Sequence, residues 1–205
     1  MTSMWTDIGL FSASLLWVVV LVKLAHRWLP HSALWAVVVL ALIVAMVPIN
    51  GLVIGSYLFP LGGCLSISSL LLLLASLVFS CVGSRMEVLR GYWQSPDQRF
   101  PVVIFFVLSG LLLYPMTAGL TMFDPYRLGF SGAPGSLVLP LYLMSWAIVS
   151  VLRGWYLLLL LTVCATLGFY LKVLPSMNLW DYILDPLVVI YSFFSLLNKL
   201  RGQFT

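Results

Sequence analysis

Residues 155–172 read WYLLLLLTVCATLGFYLK, a run in which the only charged side chain is the final Lys172. A helix that crosses the hydrocarbon core of a bilayer needs about 20 mostly apolar residues. The run is rich in leucine and continuous, and it lacks the alternation of apolar and polar residues that a membrane β-barrel strand shows. It therefore predicts a transmembrane α-helix.

The chain on the N-terminal side of this run repeats the pattern. Residues 136–152 form a second apolar run, and the dipeptide Arg153-Gly154 joins the two runs almost directly. A connection this short leaves the two helices no room to separate, so we expect a tight antiparallel hairpin.

Further runs of the same kind extend over the rest of the chain. Together they predict six transmembrane helices, at residues 8–27, 33–56, 65–83, 101–121, 136–152 and 155–172. A seventh stretch, 179–198, carries Asp181, Asp185 and Pro186 in its first half, so we expect it to be kinked or partly re-entrant at Asp185-Pro186. The predicted fold class is an all-α polytopic bundle of about seven transmembrane helices, formed as a single domain over residues 1–205.

The composition agrees with a membrane bundle. Hydrophobic residues make up 62% of the 205 residues and charged residues 8%, whereas a soluble domain has about 25% charged residues. So few charges exclude a soluble globular protein, a disordered chain, a coiled coil and a disulfide scaffold. A net charge of +4 without a basic tract excludes nucleic-acid binding. The expected partners are membrane lipids and other membrane protein subunits.

Lysine and arginine residues set the predicted orientation, because cytoplasmic loops carry an excess of them. With seven crossings and the N-terminus outside, eight of the 10 basic residues face the cytoplasm, and Arg127 and Lys172 face outward. Without the seventh crossing the count becomes six against four. We therefore expect the C-terminus in the cytoplasm. The small size, the short loops and this bias are typical of a bacterial inner (plasma) membrane protein.

No motif in the sequence assigns a reaction. Charged residues lie in predicted loops or near helix ends, so the bilayer midplane holds no charge of the kind that pumps and voltage sensors use. His26 and His31 flank a cytoplasmic turn, where solvation accounts for them without a metal or haem. The cysteines form no C-x-x-C pair. The sequence predicts neither a metal site nor a cofactor.

Helix breakers concentrate in the predicted outer half of the bundle. Pro48, Pro115, Pro140 and Pro186 fall inside the second, fourth, fifth and seventh predicted spans. Proline leaves a carbonyl unpaired, and lipid cannot satisfy it. One interpretation is a partly hydrated outer vestibule, whose candidate residues are Pro48, Asn50, Pro115, Thr117 and Thr121. The other is a set of ordinary kinks that neighbouring helices satisfy.

Four charged residues are expected above this vestibule, namely Asp124, Arg127, Asp181 and Asp185. Together they could bind a cation or a polar headgroup, or act as acid and base. Asp124 and Asp185 each precede proline, which favours a helix start with Asp as the N-cap and Pro at the first helical position. Capping is the simpler interpretation of those two. Asp181 and Asp185 would share one face if their helix is continuous.

The segment Gly51 to Gly55 is a G-x-x-x-G pattern, which lets another helix approach closely. It predicts a helix contact, either within this chain or with a partner.

Three hypotheses of function follow. The first is a non-catalytic integral subunit that anchors or stabilises a larger inner-membrane assembly, for example one in envelope polymer or lipid biogenesis or transport. The second is a small transporter, flippase or channel component with an outward-facing vestibule. The third is a membrane-embedded enzyme that acts on a lipid-linked substrate at the outer interface.

Overall fold

A computed structural model describes residues 2–49, 52–54, 57, 65–82 and 86–202 of the chain. These residues are helical apart from short turns and one two-residue ladder. The helices are α1 (Thr2–Ala25), α2 (His31–Ala45), α3 (Ile67–Val82), α4 (Glu87–Gln94), α5 (Pro96–Pro115), α6 (Val138–Arg153), α7 (Tyr156–Tyr170), α8 (Trp180–Ile183) and α9 (Pro186–Arg201). A π-helical turn (Met116–Leu120) follows α5, and a 3₁₀ turn (Pro125–Gly129) precedes α6.

The chain divides into two units. The first comprises Met1–Leu65 with Leu70–Gly91, and the second comprises Ser66–Ser69 with Tyr92–Thr205. The sequence analysis predicted a single domain over residues 1–205, which includes both units. Each unit is described below by itself.

The first unit is built on a stripe of α1. Its buried residues Leu15, Val18, Val19 and Val22 recur at the spacing of one helix face. They pack with residues of α2 and the later part of α3, namely Leu34, Val38, Ala41, Leu77 and Cys81. At the turn after α1, the rings of His26 and His31 lie 4.7 Å apart, and Nδ1 of His31 is 2.8 Å from the carbonyl oxygen of Ser80.

The predicted span 33–56 is wrong in its second half. Helix α2 ends at Ala45, and strand β1 (Pro48–Ile49) then pairs antiparallel with strand β2 (Leu52–Val53). Pro48 has no N–H to donate to a helix, and its ring disfavours helical backbone at the preceding residue. The chain therefore leaves the helix before the predicted span is complete.

The second unit centres on α5. Phe105 and Phe106 on this helix are fully buried, and Ser109, one turn further, makes a 2.8 Å hydrogen bond with Tyr142 of α6. A close contact with α9 lies at Gly110, where a Cβ atom would overlap Cγ1 of Val189. Helices α6 and α7 form the predicted hairpin, with Gly154 in the left-handed conformation (φ 68°) between them.

Helix lengths bear directly on the predicted crossings. Within the described residues, one helical stretch, Pro96–Leu120, is long and apolar enough to cross a membrane, with 25 residues. The other apolar helical stretches are shorter; they are Leu10–Ala25 within α1, His31–Ala45, Ile67–Val82, Val138–Arg153 and Tyr156–Tyr170. A helix of 16 residues rises about 24 Å, less than the 30 Å hydrocarbon core. The chain is thus a helical protein whose described residues include one candidate span, and helix length does not establish seven crossings.

The seventh predicted stretch is interrupted where the sequence predicted a kink. Helix α8 ends at Ile183, and Leu184 and Asp185 are extended before α9 starts at Pro186. Asp181 and Asp185 would share one face only in a continuous helix, and that condition is not met. A residue before proline is driven out of helical backbone, and Asp185 accordingly has φ −138° and ψ 164°.

Candidate functional site

Asp124 occupies the cap position that its sequence predicts. Its backbone is extended, and Oδ1 accepts a 2.9 Å hydrogen bond from the backbone N–H of Tyr126. Pro125 opens the 3₁₀ turn, where a missing N–H does no harm. The carboxylate therefore shapes the loop between α5 and α6.

Asp185 caps helix α9 and also accepts hydrogen bonds from Ser66 at the start of helix α3. Oδ1 accepts from the N–H of Val188 at 3.0 Å, which caps α9. Oδ2 accepts from both the backbone N–H (3.1 Å) and the hydroxyl (2.8 Å) of Ser66. The Ser66 hydroxyl oxygen in turn accepts from the N–H of Ser69 at 3.2 Å, in the first turn of α3.

This carboxylate is only 6% exposed. Burial of an ionised group is unfavourable unless hydrogen bonds replace its hydration. Three donors supply that replacement, and bonds to a charged acceptor are stronger than neutral ones. Asp185 is therefore fully engaged in joining the starts of α3 and α9.

Asp181 links two loops. Its Oδ2 accepts from the phenol of Tyr126 at 2.9 Å and from the hydroxyl of Ser176. The Ser176 oxygen also accepts from the N–H of Asn178 at 3.0 Å. Asp181 is half-buried, as is Asp124, whereas Asp185 is buried. Asp181 therefore keeps some access to solvent that Asp185 lacks.

Tyr126 is held as a donor. Burial, and then the hydrogen bond to the Asp181 carboxylate, raise the pKa of Tyr126 to about 12. The phenol therefore stays protonated at neutral pH, donates to Asp181, and is a poor general base.

Asn178 was not singled out from the sequence, yet it organises this region. It is fully buried, its side-chain N–H₂ donates to the carbonyl of Tyr126 at 2.9 Å, and its Oδ1 accepts from the N–H of Trp180 at 3.0 Å. A Cβ atom at Gly129 would overlap that Oδ1, so glycine is needed there. Trp180 adds an indole N–H bond of 3.0 Å to the carbonyl of Pro125.

We call these residues the outer polar cluster: Asp124, Tyr126, Ser176, Asn178, Trp180 and Asp181. The structure brings Asp124 and Asp181 together through Tyr126. Tyr114, at the end of α5, lies within electrostatic range of both Asp181 and Asp185. Arg127 is exposed, and it joins the cluster through its backbone, whose N–H donates to the carbonyl of Asp124 at 3.3 Å. Its guanidinium is not among the hydrogen-bond donors described for the cluster.

The structure describes only some of the residues of the predicted vestibule. Asn50, Gly51 and Gly55 lie outside the described residues, and so does Cys64. Pro48 belongs to the first unit, whereas Pro115, Thr117 and Thr121 belong to the second. The vestibule remains a prediction.

The C-terminal end of α5 has its own local geometry. Pro115 ends the α-helix, and Gly119 in the π-helical turn has φ 88°, a value that glycine adopts readily. Thr117 donates to the carbonyl of Leu113 at 2.9 Å, and Thr121 donates to that of Phe123 at 2.8 Å. These hydroxyls satisfy local carbonyls, as expected near a helix break.

Gln98 is a second residue that the sequence analysis missed. Its side-chain amide donates to the carbonyl of Gly154 at 2.8 Å and to the phenol oxygen of Tyr92 at 3.0 Å. Its Oε1 accepts from the N–H of Leu157 at 3.1 Å. One buried glutamine thus satisfies the end of α6 and the start of α7.

Metal ligands are not grouped in the part of the chain that the structure describes, where no three His, Cys, Asp or Glu side chains could hold one ion. No protein-family model, curated protein sequence or solved structure matches the chain.

Proposed function

We propose that the chain is a non-catalytic integral membrane subunit that anchors or stabilises a larger inner-membrane assembly. The observation that carries this proposal is the engagement of the outer aspartates. Asp124 and Asp185 serve as helix caps, and Asp181 accepts two hydroxyl hydrogen bonds. Groups committed to local structure are poorly suited to acid–base chemistry on a substrate.

The membrane placement is supported by what the helices expose. Large apolar side chains face outward on α5 and α6, including Leu108, Leu111, Ile148 and Leu152. Contiguous apolar surface of this kind is unfavourable in water and marks contact with lipid or with another protein. We propose that these faces meet acyl chains and partner helices.

The second unit carries its charges at two ends, which supports the proposed orientation. Gln98, near the start of α5, donates to the carbonyl of Gly154 in the α6–α7 turn. The neighbouring Arg153 therefore lies at the same end as the start of α5. Lys199, near the end of α9, lies over the ring of Phe100 at the same end. The opposite end holds the outer polar cluster with its two aspartates, together with the basic residues Arg127 and Lys172. Under the positive-inside rule the basic end faces the cytoplasm, as it does with seven crossings and the N-terminus outside.

Short helices are compatible with this placement. A span shorter than the hydrocarbon core is accommodated by local thinning of the bilayer or by association with other helices. Association would suit a subunit, because partner helices would cover the apolar faces.

The test is extraction of the tagged chain in a mild detergent at native expression, with mass spectrometry of the proteins that accompany it. A stoichiometric membrane partner is the expected result, and its chemistry would identify the pathway. A homogeneous monomer or homo-oligomer without a partner would contradict the subunit proposal. In that case the half-buried Asp181 would become the first residue to test for an enzymatic role.

A further inference from the structure

Two cations lie on the face that α5 and α9 share at the basic end of the second unit. A terminal guanidinium nitrogen of Arg99 donates a 2.7 Å hydrogen bond to the phenol oxygen of Tyr191. The ammonium of Lys199 lies 3.4 Å from the centre of the Phe100 ring. Arg99 and Lys199 are both exposed, so the two contacts hold these cations at the surface.

The partners of these cations are neutral in the part of the chain that the structure describes. A phenol and an aromatic ring orient a cation without cancelling its charge, and Arg and Lys over aromatic rings are stabilised by the ring quadrupole. Asp97 is the acid of the same turn, and it lies exposed in the first turn of α5. There it complements the positive end of the helix dipole.

The donors are only partly used. A guanidinium has five N–H groups and an ammonium has three. The described contact of Arg99 occupies one of them. The remaining donors suit a phosphate, which arginine binds with fixed geometry and lysine attracts as a point charge.

Exposed aromatic and apolar side chains adjoin the Arg99–Tyr191 contact on α9. Tyr191 is 56% exposed, and Phe194, one turn closer to Lys199, is 58% exposed. Leu187 and Ile190 continue the exposed stripe of α9 away from the basic end. A ligand that fits this face has an anionic head at Arg99 and Lys199 and a hydrocarbon part along α9.

We propose that this face binds an anionic phospholipid of the cytoplasmic leaflet, with its phosphate on Arg99 and its charge further attracted by Lys199. This inference rests on the proposed membrane placement. A membrane surface that carries anionic lipids attracts basic residues at the interface. The aromatic contacts hold Arg99 and Lys199 in place, so we expect this face to bind the lipid more specifically than the other basic residues at the same end do.

The experiment uses the full chain in detergent. Its thermal unfolding is followed while short-chain phosphatidylglycerol, short-chain phosphatidylcholine or inorganic phosphate is added. The variants are Arg99→Gln and Lys199→Gln. The matched control is Arg153→Gln, which removes one exposed positive charge from the same end but from α6.

We expect phosphatidylglycerol to raise the unfolding temperature more than phosphatidylcholine does, and inorganic phosphate to have little effect. Arg99→Gln should weaken the apparent affinity for phosphatidylglycerol about tenfold, as loss of a charged hydrogen bond does. Lys199→Gln should weaken it less, and Arg153→Gln should leave it within about twofold of the unchanged chain. If Arg99→Gln does not fold, the Lys199→Gln and Arg153→Gln pair carries the test.

Equal effects of the two lipids would overturn the inference, and so would equal losses in all three variants, which would indicate diffuse attraction. Binding of inorganic phosphate as strong as that of the lipid would overturn the assignment to phospholipid. None of these results bears on the proposed subunit function, which fails separately if the extracted chain carries no stoichiometric membrane partner.

Discussion

At Asp185, one carboxylate meets donors from two helices, and its bonds differ in kind from those of Asp181. The donors to Asp185 include the backbone N–H groups of Ser66 and Val188, which cannot turn away. The donors to Asp181 are hydroxyls of Tyr126 and Ser176, which can rotate toward water. The two residues should therefore respond differently to loss of charge.

Asp185→Asn should destabilise the chain by about 1–3 kcal/mol, because an amide accepts more weakly and its N–H₂ would face a donor. Asp181→Asn should have a smaller effect, since its amide oxygen can still accept from both hydroxyls. Unfolding temperature in detergent and abundance in membranes check this order. Loss of an activity with abundance intact in Asp181→Asn would instead favour the enzyme hypothesis.

Tyr126 gives stability a dependence on alkaline pH. The folded pKa of about 12 exceeds the usual value of 10, so the unfolded chain loses this proton first as pH rises. The contribution of Tyr126 is complete below pH 10 and is lost between about pH 10 and 12. Tyr126→Phe should be less stable than the unchanged chain at pH 8, and the difference should shrink above pH 10. A difference that stays constant up to pH 12 would contradict the assignment.

The same residues show what the sequence could and could not foretell at this scale. The caps at Asp124 and Asp185 were predictable, because an Asp-Pro pair acts through its own neighbours in the chain. Asn178 and Ser66 were not, because their partners lie 52 and 119 residues away. No local pattern encodes such a contact.

Among the elements, the contact of α5 with α9 depends on one missing side chain. Gly110→Ala should destabilise the chain by about 1–3 kcal/mol, because the new methyl group overlaps Val189. Val189→Ala in the same chain should restore part of the loss. Gly91→Ala on α4 is the control, since a Cβ there meets nothing within 4 Å. Equal unfolding temperatures for the two alanine variants would refute the close contact.

The α6–α7 hairpin depends on Gln98 in a comparable way. Gln98→Leu should destabilise it by about 1–3 kcal/mol, because the N–H of Leu157 and the carbonyl of Gly154 lose their partner. Gln94→Leu, at the exposed end of α4, is the matched control. Limited proteolysis at the turn and thermal unfolding measure the effect, and the prediction fails if both variants behave alike.

Element boundaries were predictable where the apolar pattern and the stop signals agree. The Arg153-Gly154 turn was foreseen, since glycine there adopts the positive φ that ends a helix. The end of α2 was not, because hydropathy continues past Ala45 while Pro48 stops the helix. The dipeptide Asn50-Gly51, typical of hairpin turns, was the available signal for the β1–β2 ladder.

At the scale of the whole molecule, the apolar composition predicted a helical protein. The structure confirms that prediction, because its described residues are mostly α-helical. Composition does not encode how many helices reach both surfaces of a bilayer, because it averages over helices of different length. Seven crossings therefore remain a proposal that needs a measurement of its own.

Single cysteines test the last crossing, in a chain whose native cysteines are replaced by serine. Lys172→Cys should react with a membrane-impermeant thiol reagent added to intact cells, because it faces outward if there are seven crossings. Gly202→Cys should react only after the membrane is permeabilised. Labelling of both from the same side would exclude a seventh crossing between them.

The bond between Ser66 and Asp185 also bears on how the chain is made. The two residues are 119 positions apart, and a ribosome adds about 5–20 residues each second. Once Ser66 has emerged, about 6 to 24 s of synthesis pass before Asp185 follows. During synthesis the first turn of α3 therefore lacks its carboxylate acceptor, and other acceptors such as water must satisfy the N–H and hydroxyl of Ser66 until Asp185 follows. Chains that stop before Asp185 would lack the acceptor that joins the starts of α3 and α9, so the donors of Ser66 would stay without their partner.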